Sequence, residues 1–325
     1  MPVLAQLEKD FPNSIRIVYR NYPLIGTPDK PFHDKAALST QAAEAAGLQD
    51  KFWEMHDLLF NRQTDWASLT VDQFKDWLIA RAKDLGLDVK KFTSDLTSPQ
   101  MVKVAQDAWD NGQKIGLPGT PFLLVNGRIW SNNIPMTPQN LSTNLSMVIK
   151  LTELGKKQFT YCPPMAIDML KQYTATVKTT KGDIVIELYA DKAPLAVNSF
   201  IFLARNGWFN GVTFHYVIPS VIAQAGDPSG TGFGNPGYAF KNEIAPGLKF
   251  DREGVVGMVN AGPDSNNSQF FITLAPAPKL DGNYTIFGQV ISGMDVVKNL
   301  APRDPYNNAN LPPGDGITSV TITEK

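Results

Sequence analysis

The chain has 325 residues, 43% of them apolar and 19% charged, and its 30 basic and 31 acidic side chains leave a net charge of −1. At about 150 residues per domain this length points to two domains, each large enough to bury a core without disulfide or metal staples. The balanced charge, with no Lys/Arg cluster, argues against nucleic-acid binding. The single cysteine, Cys162, excludes an internal disulfide or Cys-x-x-Cys pair, and His33, His56 and His215 are too scattered for a metal site.

The N-terminal stretch Pro2 to Asp10 lacks the basic start of a signal peptide and reads as an amphipathic helix. Ser14 to Tyr19 alternates and is β-branched, which predicts a strand. An Ala-rich helix runs from about Lys35 to Gly47, and Phe52, Met55 and Leu59 then repeat at helical spacing. Thr70 and Gln73 form a capping-box pattern ahead of Phe74, Leu78 and Ala82, and Ser98-Pro99 supplies an N-cap followed by a first-turn proline. Phe52, Trp53, Trp77 and Trp109 occur at helical spacing and are expected in the core. Leu123 to Val125 then enters a tight turn at Asn126-Gly127, and a last helix covers roughly 137–155. Residues 156–173, with Pro163-Pro164, break the pattern and read as a linker.

From Thr174 the periodicity becomes that of strands. A hairpin at 174–189, a helix from Pro194 to Arg205, five short strands between Val212 and Val290, a short helix at Met294–Leu300 and a final strand at Ile317–Thr323 predict a closed barrel. No stretch reaches the roughly 18 apolar residues of a membrane span.

Several strings occur in order in this second half: Phe214-His215-Tyr216-Val217-Ile218-Pro219, Gln224-Ala225-Gly226-Asp227, Val259-Asn260-Ala261-Gly262-Pro263, Asn266-Asn267-Ser268-Gln269-Phe270-Phe271-Ile272, and Leu280-Asp281-Gly282 leading to Phe287-Gly288. On these motifs residues 174–325 resemble the cyclophilins, peptidyl-prolyl isomerases built on an eight-stranded barrel with two helices. The resemblance implies a proline pocket at Phe271 and Leu280, with Val221 and Ile222 where the family usually has Phe and Met. It implies site roles for Gln224, Gln269 and the backbone of Asn260, flanked by Val259 and Ala261. Tyr284 lies where many members have His, and Lys279 where many have Trp.

Rotation about a prolyl bond meets a barrier of about 18–20 kcal/mol, because amide resonance holds it planar. Lowering it requires a dry grip on the ring, partners for the flanking backbone and a donor aimed at the prolyl nitrogen, all stronger toward the twisted state. The resemblance places a catalytic arginine at the position of Tyr216. By analogy with deleting an oxyanion-hole donor, exchanging it for a neutral hydroxyl costs about 2.7–4 kcal/mol, or about 10²–10³ in rate. Catalytic roles are therefore expected of Tyr216, Gln224 and Asn260. Substrate contacts are expected of Val221, Ile222, Val259, Ala261, Gln269, Phe271, Leu280 and Tyr284. Neither cofactor nor metal is required, and the expected partners are proline-containing segments of unfolded or extended proteins.

Residues 1–155 carry Ile17 to Pro23, Ala42 to Gly47, Lys51 to Asp57 and Gly119-Thr120-Pro121 before Asn126-Gly127. On these they resemble thioredoxin-fold oxidoreductases of the bacterial Dsb type, an α/β fold with a helical insertion in which the pair matching Thr120-Pro121 is cis. The family's Cys-x-x-Cys and first strand precede the segment that matches Pro2 to Phe11, so the domain is expected to be truncated or degenerate, and no dithiol chemistry is assigned to it. The leading expectation is a prolyl isomerase that assists folding, weakened by Tyr216. The alternative is a proline-binding module or chaperone without turnover. Thiol–disulfide exchange survives only if an upstream Cys-x-x-Cys exists. Localisation follows the same condition: extracytoplasmic with a lost export segment, otherwise cytoplasmic.

Two further features have bland readings. His215 is expected to line the site structurally rather than act as a base. Gly232-x-Gly234-x-x-Gly237 matches a dinucleotide fingerprint in form, but Pro236 interrupts it and no helix clearly follows, so it reads as a glycine-rich surface loop.

Overall fold

The computed structural model describes every residue except Met1, Pro28, Asp29, 131–134, Tyr306 and 308–310. By contact the chain divides into two units, 1–142 and 143–325.

The first unit is built from helices: α1 (Pro2–Asp10), α2 (Ala36–Gly47), α3 (Phe52–Asn61), α4 (Gln63–Trp66), α5 (Val71–Asp84), α6 (Val89–Leu96) and α7 (Pro99–Lys114). The alanines of α2 explain its central place. Ala42, Ala45 and Ala46 are fully buried, and such small side chains let α3, α6 and α7 approach its backbone. Around it Met55, Phe74, Leu78, Phe92 and Leu96 close the core. The predicted capping box is formed at α5: Gln73 N–H donates to Thr70 Oγ1, and Thr70 N–H donates to Gln73 Oε1. Ser98 caps α7 in the same way through Met101 N–H, with Pro99 in the first turn.

Three expectations for this unit change. The strand predicted at Ser14–Tyr19 joins no ladder among the described residues, and Val18 is left 60% exposed. Strand preference expresses itself only against a pairing neighbour, and none lies alongside. The α/β character is accordingly reduced to two pairs of two-residue strands, Gly26–Thr27 with Lys30–Pro31 and Leu124–Val125 with Arg128–Ile129. The second pair turns at Asn126 and Gly127, both at positive φ, as a two-residue hairpin needs. Trp53, expected in the core, is 46% exposed and packs its edge against Tyr19 and His56, whereas Trp109 is buried and stacks on Tyr22 at 5.4 Å. The Thr120–Pro121 peptide is cis, as the resemblance implies.

Helix α8 (Pro138–Gly155) crosses the division, and its Leu154 belongs to the core of the second unit. Residues 156–173, expected as a linker, also carry contacts of that unit. Phe159 and Ile167 pack on its core, and Asn198 holds the segment by accepting from Ala166 N–H and donating to Pro164 C=O.

The second unit contains, among the described residues, one eight-stranded antiparallel sheet. Its strands are β1 (Tyr173–Thr179), β2 (Gly182–Leu188), β3 (Tyr216–Ile218), β4 (Ile222–Ala225), β5 (Val255–Met258), β6 (Phe270–Thr273), β7 (Ile286–Ser292) and β8 (Ile317–Glu324). They run side by side in the order β8-β1-β2-β7-β5-β6-β4-β3. The helices α9 (Pro194–Arg205) and α10 (Met294–Lys298) complete it. The sheet curls around a core in which Phe200 of α9 meets Phe209, Phe270 and Phe287 at 4.9, 5.6 and 5.5 Å between ring centres. Each such pair adds about 0.5–1.5 kcal/mol beyond the area it buries.

The closed barrel expected from the sequence is corrected to an open, curled half-barrel. No ladder joins the outer strands β3 and β8. The segment before β3 meets the start of β8 and the residues just before it through an isolated bridge at Thr213 and Gly316, with bonds from Phe214 N–H to Asp315 C=O, Ile317 N–H to Val212 C=O and Gly211 N–H to Ile317 C=O. β3 is only three residues long, and its outer edge is already paired with Arg303, through Val217 N–H to Arg303 C=O and Arg303 N–H to Val217 C=O, so it offers β8 no free edge.

The capping box makes a direct prediction. Thr70→Ala should destabilise the first unit by about 1 kcal/mol, read as a lower urea midpoint at unchanged slope. An unshifted midpoint would mean that the two cap bonds contribute nothing net.

Candidate functional site

Period-two alternation gives the sheet two different faces. Val217, Ala223, Ala225, Val256, Met258, Phe270 and Ile272 point into the main core. Their neighbours must therefore point outward. Cross-strand pairing aligns these outward residues in one row: Tyr216 opposite Gln224, Gln224 opposite Phe271, Phe271 opposite Gly257, and Gly257 opposite Ile286. One row thus crosses β3, β4, β6, β5 and β7.

On this outer face lies a second apolar cluster, separate from the main core. Phe250, Val255, Phe271 and Ile286 are its buried members, and Ile222, Val259, Leu280 and Tyr284 pack against it half-buried. Phe271 is its centre. Its ring stacks on Phe250 at 5.4 Å and meets Tyr284 edge-on at 5.6 Å. The ring can lie across β5 only because residue 257 is glycine: a Cβ there would fall 2.6 Å from the Phe271 ring. A short 3-10 turn, Pro278–Leu280, carries Leu280 to the edge of this cluster. It is tied down by Ala277 N–H to Phe250 C=O and by Phe250 N–H to Asp281 Oδ1.

The polar side of the row is a chain of fixed polarity. Gln269 Nε2 donates to Gly232 C=O and Gly234 C=O, which commits both its protons. Its Oε1 then accepts from Gln224 Nε2 at 3.0 Å, and the other Gln224 proton faces His215 Nε2 at 3.2 Å. Both amides are thereby oriented without ambiguity, and His215 must be unprotonated at Nε2. Burial pushes the His215 imidazole below its ordinary range, and Arg303 adds to the depression, while Asp227 opposes it. His215 Nε2 thus accepts from Gln224 in this arrangement.

The other predicted residues fall around this row. Tyr216 is half-buried on the same face as Gln224. Asn260 uses its side chain internally, donating to Asn283 C=O and accepting from Gly262 N–H, so what it offers an incoming chain is its backbone. Val259 N–H extends the β5–β6 pairing to Gln269 C=O. Val221 (47% exposed) and Ala261 lie outside the apolar cluster, exposed to solvent, and Lys279 is exposed as well. Phe250, Ile286 and Gly257 were not found from sequence. Phe250 sits in an aperiodic loop, and the other two reveal themselves only once strand register is known. Among the described residues no group of three His, Cys, Asp or Glu converges.

Residues 174–322 match the family model described as cyclophilin type peptidyl-prolyl cis-trans isomerase, and residues 2–141 match a DSBA-like thioredoxin domain. The chain is 48% identical over 127 residues to Peptidyl-prolyl cis-trans isomerase-like 1 of Gibberella zeae, covering 38% of this chain and 78% of that protein. It is 49% identical over 127 residues to a peptidyl-prolyl cis-trans isomerase of Schizosaccharomyces pombe, covering 38% of this chain and 82% of that protein. A solved cyclophilin type isomerase of Cryptosporidium parvum is 34% identical at a TM-score of 0.44, covering 47% of this chain and 99% of that one. The two curated relatives are fungal, and they lend no support to the bacterial affinity expected from the first half.

The buried imidazole sets a pH dependence. His215 is neutral in the fold, so as pH falls below about 6.5 the unfolded chain takes up a proton that the folded chain refuses. The stability His215 contributes is complete above that value and declines as pH falls toward its depressed folded value. Urea midpoints measured from pH 7 to pH 5 should therefore fall, and fall less steeply in His215→Gln. Equal slopes in the two proteins would contradict the buried neutral imidazole.

Proposed function

Because the chain belongs to the cyclophilin-type peptidyl-prolyl cis-trans isomerases, we propose that its second unit catalyses rotation about X-Pro bonds in extended or unfolded protein segments, at the outward row of Tyr216, Gln224 and Phe271. The observation that carries this reading is the separation of two apolar clusters by one sheet, with an aromatic cluster and an oriented amide chain side by side on the outer face.

The division of labour follows from the barrier. Amide resonance worth about 18–20 kcal/mol must be lost as the bond twists, and no covalent step helps. The proline ring sits against Phe271, between Leu280 and Tyr284, where displacement of water favours binding in both planar states. The backbone of Asn260 holds the residue before proline. With both protons of Gln224 committed inward, its carbonyl oxygen is the group it presents to the substrate. The Tyr216 hydroxyl donates toward the prolyl nitrogen, whose lone pair localises only in the twisted state. A bond made only there lowers the barrier rather than deepening the ground state.

A neutral hydroxyl is a weaker and less extended donor than a guanidinium, so turnover is expected to be reduced relative to an arginine-bearing site.

The test is line-shape and exchange NMR on a short Ala-Pro peptide with catalytic amounts of protein. Tyr216→Phe should lower the catalysed exchange by about threefold to tenfold, the worth of one neutral hydrogen bond, with the peptide's affinity retained. Tyr216→Arg should raise it above the natural protein. If the natural protein binds the peptide and gives no exchange, while Tyr216→Arg does, the protein is the binding module. If Tyr216→Phe matches the natural protein, the hydroxyl is not the donor.

A further inference from the structure

Asp227 is fully buried two residues beyond β4, and nothing in the proposed reaction uses it. Its surroundings are unusual for a carboxylate. Oδ1 accepts from Ser229 N–H at 2.7 Å and Ser229 Oγ at 2.6 Å. Oδ2 accepts from Thr231 N–H at 3.1 Å, Thr231 Oγ1 at 3.3 Å, Gly232 N–H at 2.7 Å and Gly234 N–H at 3.0 Å. Four of these six donors are backbone groups of one short loop, so the carboxylate acts as the centre around which residues 229–234 are wound. Residue 234 must approach it closely: a Cβ at that position would lie 1.9 Å from Oδ1, so only glycine fits. This is the stretch that reads in the sequence as a glycine-rich surface loop.

The wound loop has a specific product. It turns the carbonyls of Gly232 and Gly234 onto one point, where both accept from Gln269 Nε2, at 3.0 and 2.8 Å. Two convergent acceptors fix which end of the Gln269 amide is nitrogen. Its oxygen is then directed at Gln224, and Gln224 in turn is fixed between Gln269 and His215. Every link has a donor on one side and an acceptor on the other, so reversing one amide would set like against like throughout. The carboxylate suits the first place in this series because it accepts at both oxygens. An amide of the same shape would turn an N–H₂ toward backbone N–H groups.

We propose that Asp227 is a positioning residue for the isomerase: by winding the 229–234 loop it orients Gln269 and, through it, the Gln224 side chain that faces the substrate. The inference rests on the reading that Gln224 and Gln269 belong to the site. Asp227 touches no substrate; its effect reaches the reaction through the direction of one carbonyl oxygen.

Asp227→Asn and Gly234→Ala attack the same winding from opposite sides, one by changing the carboxylate, the other by pushing a methyl group into it. Each should lower kcat for an Ala-Pro peptide by about tenfold to a hundredfold, the scale of a misdirected catalytic group, with KM changed less than kcat. The Gln269 and Gln224 side-chain amide resonances should shift and exchange faster with solvent while the main-core amides stay protected. The combination Asp227→Asn with Gln224→Ala should be no slower than Gln224→Ala alone, because Gln269 then has no Gln224 amide left to direct. Gly234→Ala carries the test if Asp227→Asn does not fold.

Wild-type kcat in the folded variants, beside a slow Gln224→Ala, would overturn the positioning role and leave the site reading intact. An additive loss in the double variant would overturn it too, by showing that Asp227 acts elsewhere. A Gln224→Ala protein as fast as the natural one would instead overturn the site reading on which the proposal stands.

Discussion

The second unit depends on the alternation of a single strand. Phe270 and Phe271 are consecutive, so β6 must send them to opposite faces of the sheet. Phe270 enters the main core beneath α9, and Phe271 goes to the outer cluster with Phe250 and Tyr284. A slip of one residue in β6 would exchange the two and place every neighbouring side chain on the wrong face. The main core therefore holds the site in register. The packing of Phe270 against Phe200 and Phe209 is what sends Phe271 to the outer face. Burying one such ring contributes about 1.5–3 kcal/mol, so the register is held strongly.

The polar half of the site obeys a different constraint. Amides can be reversed at little steric cost, so packing alone cannot say which end of Gln224 faces outward. That choice is made by counting donors and acceptors: two carbonyls on Gln269, one imidazole nitrogen on Gln224. The arrangement asks His215 to remain neutral, and burial supplies that condition. Apolar register and polar bookkeeping thus settle separate questions on the same five strands, where the pocket lies and how its amide is directed.

Much of this was legible in the sequence where the signal is local. The caps at Thr70 and Ser98 are short-range chemistry and appear as read, and α9 has the boundaries its pattern predicts. The ordered motifs brought Gln224, Asn260, Gln269 and Phe271 to one neighbourhood because each lies on or beside a strand that pairs with the next. What escaped depends on distant partners. Phe250 joins the pocket through contacts with Ala277 and Asp281, far along the chain, and no periodicity marks it. The strand expected at Ser14–Tyr19 had the right composition and no neighbour. The eight-residue α6, capped by Asp88, was missed because a segment that short shows little more than two turns of pattern. Closure of the barrel failed because Arg303, far along the chain, takes the outer edge of β3, and nothing local in the sequence marks that pairing.

The central claim is that one outward row of a two-faced sheet both grips proline and turns it. It is tested most directly on the intact chain by titrating a short Ala-Pro peptide and following protein and peptide resonances together. The account predicts that the shifted protein signals centre on Tyr216, Gln224, Asn260, Phe271, Leu280 and Tyr284, and that cis and trans peptide signals exchange faster than the uncatalysed rate at catalytic protein concentration. Faster exchange with the shifts centred elsewhere, or shifts on this row with no faster exchange, would contradict it.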